Sequence, residues 1–217
     1  MSNKTDIFEY SPREEKANIL THAFGFVMSL IALIFLIDHA IDKGETLHLV
    51  SFSVFGLSLI VLYAASTIYH YSSTPYWRIK LRIFDHSAIY VLIAGTYTPM
   101  ALITLKGGVG LLIFGVVWGL ALLGIILKLF FTGKYEILST LMYIGMGWMV
   151  VFAIKPLIAN FPIEGLWWIF GGGAFYTVGA ILYSIQKIPF NHAIFHVCVL
   201  GGSFCHFMAI YFHVLPH

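Results

Sequence analysis

The sequence predicts an all-α membrane protein, a bundle of seven transmembrane helices. Hydrophobic residues make up 59% of the 217 residues and charged residues only 10%, far from the balance of a soluble globular domain. Apolar runs of about 20 residues recur along the chain, and each is long enough to cross a bilayer. The runs lack the alternation of polar and apolar residues that barrel strands need, so helices are predicted for all of them.

The predicted spans are separated by short loops that contain glycine, proline and small polar residues. We expect one domain over residues 1–217, in which residues 1–18 form a short cytoplasmic segment ahead of the first span. Pro99 is predicted to kink the third span. Gly115 and Gly119 are spaced for close helix packing, as is the glycine triplet at 171–173. The spans are placed at about 19–41, 47–70, 84–105, 109–131, 137–156, 166–186 and 192–214.

Lysine and arginine are distributed unevenly between the two predicted sides of the membrane. Three lie on the side opposite to the amino terminus, namely Lys43, Lys106 and Lys155. Because basic loops stay inside, the amino terminus is predicted to be cytoplasmic and the carboxyl terminus to be outside. The expected location is the inner (plasma) membrane, which the chain crosses several times. The other nine are Lys4, Arg13, Lys16, Arg78, Lys80, Arg82, Lys128, Lys134 and Lys187.

Histidines and an aspartate gather at one predicted membrane level. His192 and His196 are four residues apart at the start of the last span, so they point the same way from a helix. His70 ends the second span and Asp85 begins the third, both on the predicted cytoplasmic side. Ionisable groups within a membrane are costly, and their concentration at one depth indicates that they satisfy one another or share an ion.

Three neutral imidazoles with one open position are typical of a catalytic zinc site. Asp85 would partly offset the charge of the ion and hold water, and Ser66 shares a helix face with His70. One zinc ion fits best, although copper, nickel and iron also suit the ligand type. Haem fits poorly because two ligands on one helix face cannot reach both axial positions. Calcium and magnesium prefer oxygen ligands.

Structural roles compete with this interpretation. An interfacial histidine is often a hydrogen-bonded packing residue, Asp85 can cap the third helix, and Ser66 can bond to the carbonyl four residues earlier. His206 follows His196 by ten residues, which places it ~15 Å further along the helix. We expect His206 and Ser203 to line a cavity that reaches the metal site, with an interhelical hydrogen bond as the alternative for His206.

The chain resembles the hemolysin III family of bacterial membrane proteins, which belongs with the progestin and adiponectin receptors. The resemblance covers essentially the whole length and implies seven spans with a cytoplasmic amino terminus. The wider superfamily includes alkaline ceramidases, which hydrolyse a lipid amide. The matching motifs are Glu14-Glu15 with Asn18, Ser66-xxx-His70, Phe84-Asp85-His86, Ala94 to Pro99, and Asn191 to His196 followed by His206-Phe207.

The resemblance also implies a site and an activity. It assigns zinc to His70, His192 and His196, places Asp85 beside the ion through water, and places Ser66 nearby. We therefore expect a zinc-dependent hydrolase that acts on a lipid-like amide or ester drawn from the membrane. A membrane-perturbing or pore-forming protein, and a regulator of membrane homeostasis with structural zinc, are the alternatives. No basic patch with interleaved aromatic residues is present, so nucleic acid is not an expected partner.

Overall fold

The computed structural model describes residues 10–215, apart from the side chain of Glu136. Residues 1–9 of the predicted cytoplasmic segment, including Lys4, and the carboxyl-terminal His217 lie outside this description. Within the described part, seven helical spans are long and apolar enough to cross a membrane, which confirms the predicted fold class. The helices are α1 Pro12–Lys43, α2 Thr46–Tyr71, α3 Pro75–Pro99, α4 Gly107–Phe131, α5 Glu136–Gly147, α6 Ile154–Asn160, α7 Ile163–Ser184 and α8 Asn191–His213.

Helix α1 begins seven residues before the predicted first span. Ser11 caps it, because its hydroxyl oxygen accepts a hydrogen bond of 3.3 Å from the backbone N–H of Glu14. Pro12 occupies the first turn, where a missing N–H costs nothing. Glu14 and Glu15 follow, and negative charge suits the positive end of the helix dipole. The polar start of the chain is therefore helical and continuous with the membrane span.

Helix α3 also begins earlier than predicted, at Pro75 instead of residue 84. Asp85 consequently lies in the helix interior, so the idea that it caps this helix is wrong. At the other end, α-helical geometry stops at Pro99, the position of the predicted kink, and a π-helix runs over Met100–Leu105. Proline lacks the N–H for a regular helical bond and its ring crowds the preceding turn, which explains the change at this point.

The fifth span is broken in mid-membrane. Helix α5 ends at Gly147, a 3₁₀ turn covers Met149–Ala153, and α6 completes the crossing. The hydroxyl of Tyr97 bridges the break, because it donates to the carbonyl of Gly147 (2.7 Å) and accepts from the N–H of Val150 (2.8 Å). Backbone groups freed inside a bilayer need such partners, since lipid offers none.

The glycines differ in what surrounds them. A Cβ atom on Gly124 of α4 would lie 2.3 Å from the ring of the buried Tyr90, so this close packing requires glycine. A Cβ on Gly115 or Gly119 would contact nothing within 4 Å. Within the described chain that GxxxG pair packs against no other helix, because this face of α4 meets no other part of it.

This difference predicts the stability of two matched variants of α4. Gly124→Leu should lower the free energy of unfolding by about 1–3 kcal/mol, because overpacking forces the Tyr90 ring out of its place. Gly115→Leu should leave stability almost unchanged, since its side chain points into open space. Thermal unfolding of the purified variants in detergent measures both. Equal melting temperatures for the two variants would contradict the assigned contact.

Candidate metal centre

Three histidines from two helices converge at one end of the bundle. His70 lies at the carboxyl end of α2, and His192 and His196 lie in the first two turns of α8. One ring nitrogen of each lies within 4.8 Å of the others, and no ring is more than 6% exposed. The Nε2 atoms of His70 and His192 are 3.1 Å apart. Two nitrogens bound to one tetrahedral zinc at 2.0–2.1 Å would be about 3.3 Å apart, so this pair is spaced as two ligands of one metal ion would be.

The opposite ring nitrogens of two of these histidines each contact a carboxylate or carbonyl oxygen, a group that only accepts hydrogen bonds. Nδ1 of His70 is 2.7 Å from a carboxylate oxygen of Glu15. Nδ1 of His196 lies 3.3 Å from the carbonyl oxygen of Asn18 and 3.2 Å from the hydroxyl of Thr21. A carboxylate or carbonyl requires a proton on Nδ1, and this leaves the lone pair on Nε2 for a metal.

The third histidine follows the same pattern. Nδ1 of His192 is 2.9 Å from the hydroxyl of Tyr10, a group that can accept the ring proton. All three Nδ1 atoms are thus occupied by side chains or backbone from Tyr10 and α1. Such partners orient metal-binding imidazoles and fix their tautomers. This shell was not predicted from the sequence, although Glu15, Asn18 and His22 are spaced for one helix face.

Arg78 fixes the position of the His70 segment. Its guanidinium group donates to the carbonyl oxygens of Tyr69, His70 and Ser72 over 3.2–3.3 Å, so it caps the carboxyl end of α2. The same guanidinium group forms an ion pair with Glu15, the residue that also holds the His70 ring. One charge pair therefore connects the start of α1, the end of α2 and the start of α3.

Asp85 and Ser66 lie beside the histidines on the wall of the same cavity. Asp85 is buried, and it is absent from the group of mutually close ligand atoms among the described residues. The Ser66 hydroxyl faces the Asp85 carboxyl group, but within residues 10–215 no group approaches it closely enough for a well-formed hydrogen bond. The alternative that Ser66 bonds back to its own helix is therefore wrong.

His22 of α1 is a further member of the site. Its ring stacks on His196 with centroids 3.4 Å apart, and it forms a T-shaped contact with the ring of Tyr63 at a centroid distance of 5.1 Å. Both of its ring nitrogens are buried with no hydrogen-bond partner in the described chain, as is the side-chain amide of Asn18. Buried polar atoms without partners call for an explanation. Next to three converging histidines, a site that holds an ion and its bound water would provide one.

A cavity of about 170 Å³ extends from this centre into the bundle. His192, His196 and Asp85 line one part of it, and its walls elsewhere are mainly apolar. His206 lines it further along α8. Ser203 lies behind this wall, because its hydroxyl bonds to Tyr176, a lining residue, at 2.9 Å and to Tyr63 at 2.8 Å.

Fold and site together define a multi-pass helical membrane protein with a tri-histidine centre that can hold a metal ion. Residues 10–207 match the family described as Haemolysin-III related, and the chain belongs to that family. It is 48% identical to Hemolysin-3 of Bacillus cereus, an alignment that covers 94% of this chain and 93% of that protein.

Two further relatives show how far the similarity extends. The Hemolysin-3 homolog of Bacillus subtilis (strain 168) is 46% identical, over 94% of this chain and 96% of its own length. The human Monocyte to macrophage differentiation factor is 26% identical over 91% of this chain and 83% of its own length. The family resemblance predicted from motifs is confirmed by these matches, including the distant animal relative.

Metal content is the first property to test. Protein purified without chelator should carry close to one zinc ion per chain, and His192→Ala should lose it because only two ring ligands remain. His213→Ala, at the opposite end of α8, should retain the metal. Elemental analysis by mass spectrometry measures all three. Equal metal content in the two variants would rule out the centre described here.

A substitution at Glu15 should weaken metal binding without abolishing it. Glu15→Gln keeps the size of the side chain but removes the negative charge that orients His70, so zinc affinity should fall about 10- to 100-fold. Titration with a competing chelator gives the affinity. Glu164→Gln serves as the control, because Glu164 is an exposed residue in the first turn of α7. An unchanged affinity in Glu15→Gln would show that the carboxylate does not support the metal.

Proposed function

We propose that this protein is a zinc-dependent hydrolase that cleaves an amide or ester bond of a membrane lipid. The observation that carries the proposal is the convergence of three buried histidine nitrogens at a mainly apolar cavity, with a carboxylate on the same wall. Lipid substrates need an apolar cavity, and hydrolysis needs an activated water with a group that takes its proton. We further propose that this end of the bundle faces the cytoplasm.

In this proposal His70, His192 and His196 hold the ion through their Nε2 atoms. A bound zinc ion supplies Lewis-acid activation of water near neutral pH. Glu15, Tyr10 and the first turns of α1 keep the three rings in position from behind. The burial of the rings excludes bulk water, which strengthens the electrostatic interactions within the site.

Asp85 and Ser66 act on the reacting groups. The Asp85 carboxylate orients the attacking water, accepts its proton and passes that proton to the leaving group. The Ser66 hydroxyl has no well-formed hydrogen bond within the described chain, so it is available to donate one to the oxyanion that develops on the substrate carbonyl. Apolar walls formed by residues such as Leu62, Ile89, Leu92 and Val199 accommodate the acyl chain.

The names of the two bacterial relatives, Hemolysin-3 and Hemolysin-3 homolog, favour a second candidate, a protein that disturbs membranes as a haemolysin. Addition of the purified protein to clean planar bilayers tests it, because reproducible unitary currents would favour a pore. A regulator with structural zinc is the third candidate. For it, chelation should abolish thermal stability while lipid compositions of expressing and deleted cells remain identical.

The hydrolase proposal predicts separate effects on metal and turnover. Asp85→Ala should keep its zinc, because Asp85 is not among the three ligands, while the rate of lipid hydrolysis should fall about 10²- to 10⁴-fold with the loss of the general base. Zinc content and fatty acid released from a bacterial lipid extract are the two measurements. Asp38→Ala, an exposed position on α1, is the control. Undiminished turnover in Asp85→Ala would contradict the mechanism.

A further inference from the structure

The cavity contains a second polar region, away from the metal centre. Helix rise places His206 ~15 Å along α8 from His196. Five other polar side chains line the cavity in the region of His206, and each already forms a hydrogen bond within the protein. These bonded side chains are Thr96, Tyr97, Trp148, Tyr176 and Thr177.

His206 differs from them, since neither of its ring nitrogens has a hydrogen-bond partner within residues 10–215. Packing holds the ring instead. It stacks on Tyr176 with centroids 5.6 Å apart and planes inclined by 18°. It also lies against the backbone of Gly172, where any Cβ atom would approach the ring to 2.5 Å. The imidazole is therefore fixed in place by an arrangement that leaves its hydrogen-bonding capacity unused.

The space continues beyond this ring. His206 borders the main cavity and also a smaller adjoining one, whose wall includes Met100, Ile169 and Phe170. An acyl chain that starts at the metal centre would thus pass His206 with apolar surface on both sides. A polar group at this depth in a membrane protein is costly, and it is typically found where it binds something.

We propose that His206 is a specificity-determining residue that binds a hydroxyl group in the middle of the substrate's acyl chain. A hydroxyl group both donates and accepts, so it matches either tautomer of a neutral imidazole. The inference rests on the proposed function, because it takes the head of the lipid to be at the metal centre. It names the substrate class as lipids with an acyl chain hydroxylated about 15 Å from the bond that is cleaved.

The test compares fatty acids, the products of such a hydrolysis, as ligands of the zinc-loaded protein in detergent. Three probes are used: stearic acid, stearic acid hydroxylated in mid-chain, and stearic acid hydroxylated next to the carboxyl group. Displacement of a fluorescent fatty acid gives each dissociation constant. The wild type should bind the mid-chain hydroxy acid about 3- to 10-fold more tightly than stearic acid, the factor expected of one net hydrogen bond. The other isomer should gain nothing comparable.

Variants test whether the His206 ring causes the preference for the mid-chain hydroxy acid. His206→Phe keeps the stacking on Tyr176 and should remove the preference, whereas His206→Gln retains a donor and an acceptor and should keep part of it. His213→Phe, outside the cavity, should behave as the wild type. Zinc content, measured in parallel, reports whether each variant is folded. If His206→Phe fails to fold, the wild-type selectivity and the His206→Gln variant still decide the question.

The outcomes separate this inference from the proposed function. Equal binding of stearic acid and its mid-chain hydroxy derivative to the wild type would overturn the role of His206 and leave the hydrolase proposal standing. A preference that persists in His206→Phe would also overturn it. No binding of any of the three acids to zinc-loaded protein would overturn both proposals.

Discussion

The structure depends on the contact between the polar face of α1 and the rear of three imidazole rings. Burying a polar ring nitrogen without a partner is costly, and two neutral imidazoles that meet must not both direct an N–H at each other. The carboxylate of Glu15 and the carbonyl of Asn18 settle this conflict, because each binds a proton on Nδ1 and thereby turns a lone pair inward. The chemistry of the candidate centre is therefore set by groups that are not among its three ligand histidines.

The same contact explains why a helix bundle can contain so many polar groups. Glu15 would be expensive at this position alone, but it faces both the His70 ring and the Arg78 guanidinium group. Arg78 in turn satisfies backbone carbonyls that the end of α2 leaves free. Each group is satisfied by a neighbour on another helix, so the cost of burial is shared across α1, α2 and α3. The contacts that pack these three helices together are therefore the same contacts that hold the site residues in place.

Hydropathy and charge were enough to predict the seven spans, and the topology that follows from them brings His70 near His192 and His196. The supporting shell was not predictable in this way. A hydropathy window reads Glu14 and Glu15 as loop, whereas capping by Ser11 and Pro12 makes them the first turn of α1. For the same reason the start of α3 was predicted at residue 84 instead of Pro75, which made Asp85 a possible helix cap. Where a helix starts depends on a few local hydrogen bonds, which average composition does not record.

The sequence also did not show how each helix is rotated about its own axis, and therefore which of its faces meets a neighbour. The spacing of Gly115 and Gly119 indicates a packing face, but it cannot say whether a neighbour lies opposite, and within residues 10–215 none does. Gly124 has no motif around it and is the residue that Tyr90 requires. The break after Gly147 is invisible in sequence for a related reason, because the residue that bridges it, Tyr97, is fifty positions away in the chain. Long-range contacts of this kind appear only when the helices are assembled.

The metal centre joins the first, second and last helices, and this has a consequence for biosynthesis. Tyr10 and Glu15 are synthesised well before His192 and His196, since His192 follows Tyr10 by 182 positions in the chain. Until the last helix is inserted, the polar face of α1 has only part of its partners. Insertion of α8 is therefore the step that completes the site, and until then Tyr10 and the backbone carbonyl of Asn18 lack the imidazole rings that they contact in the folded protein.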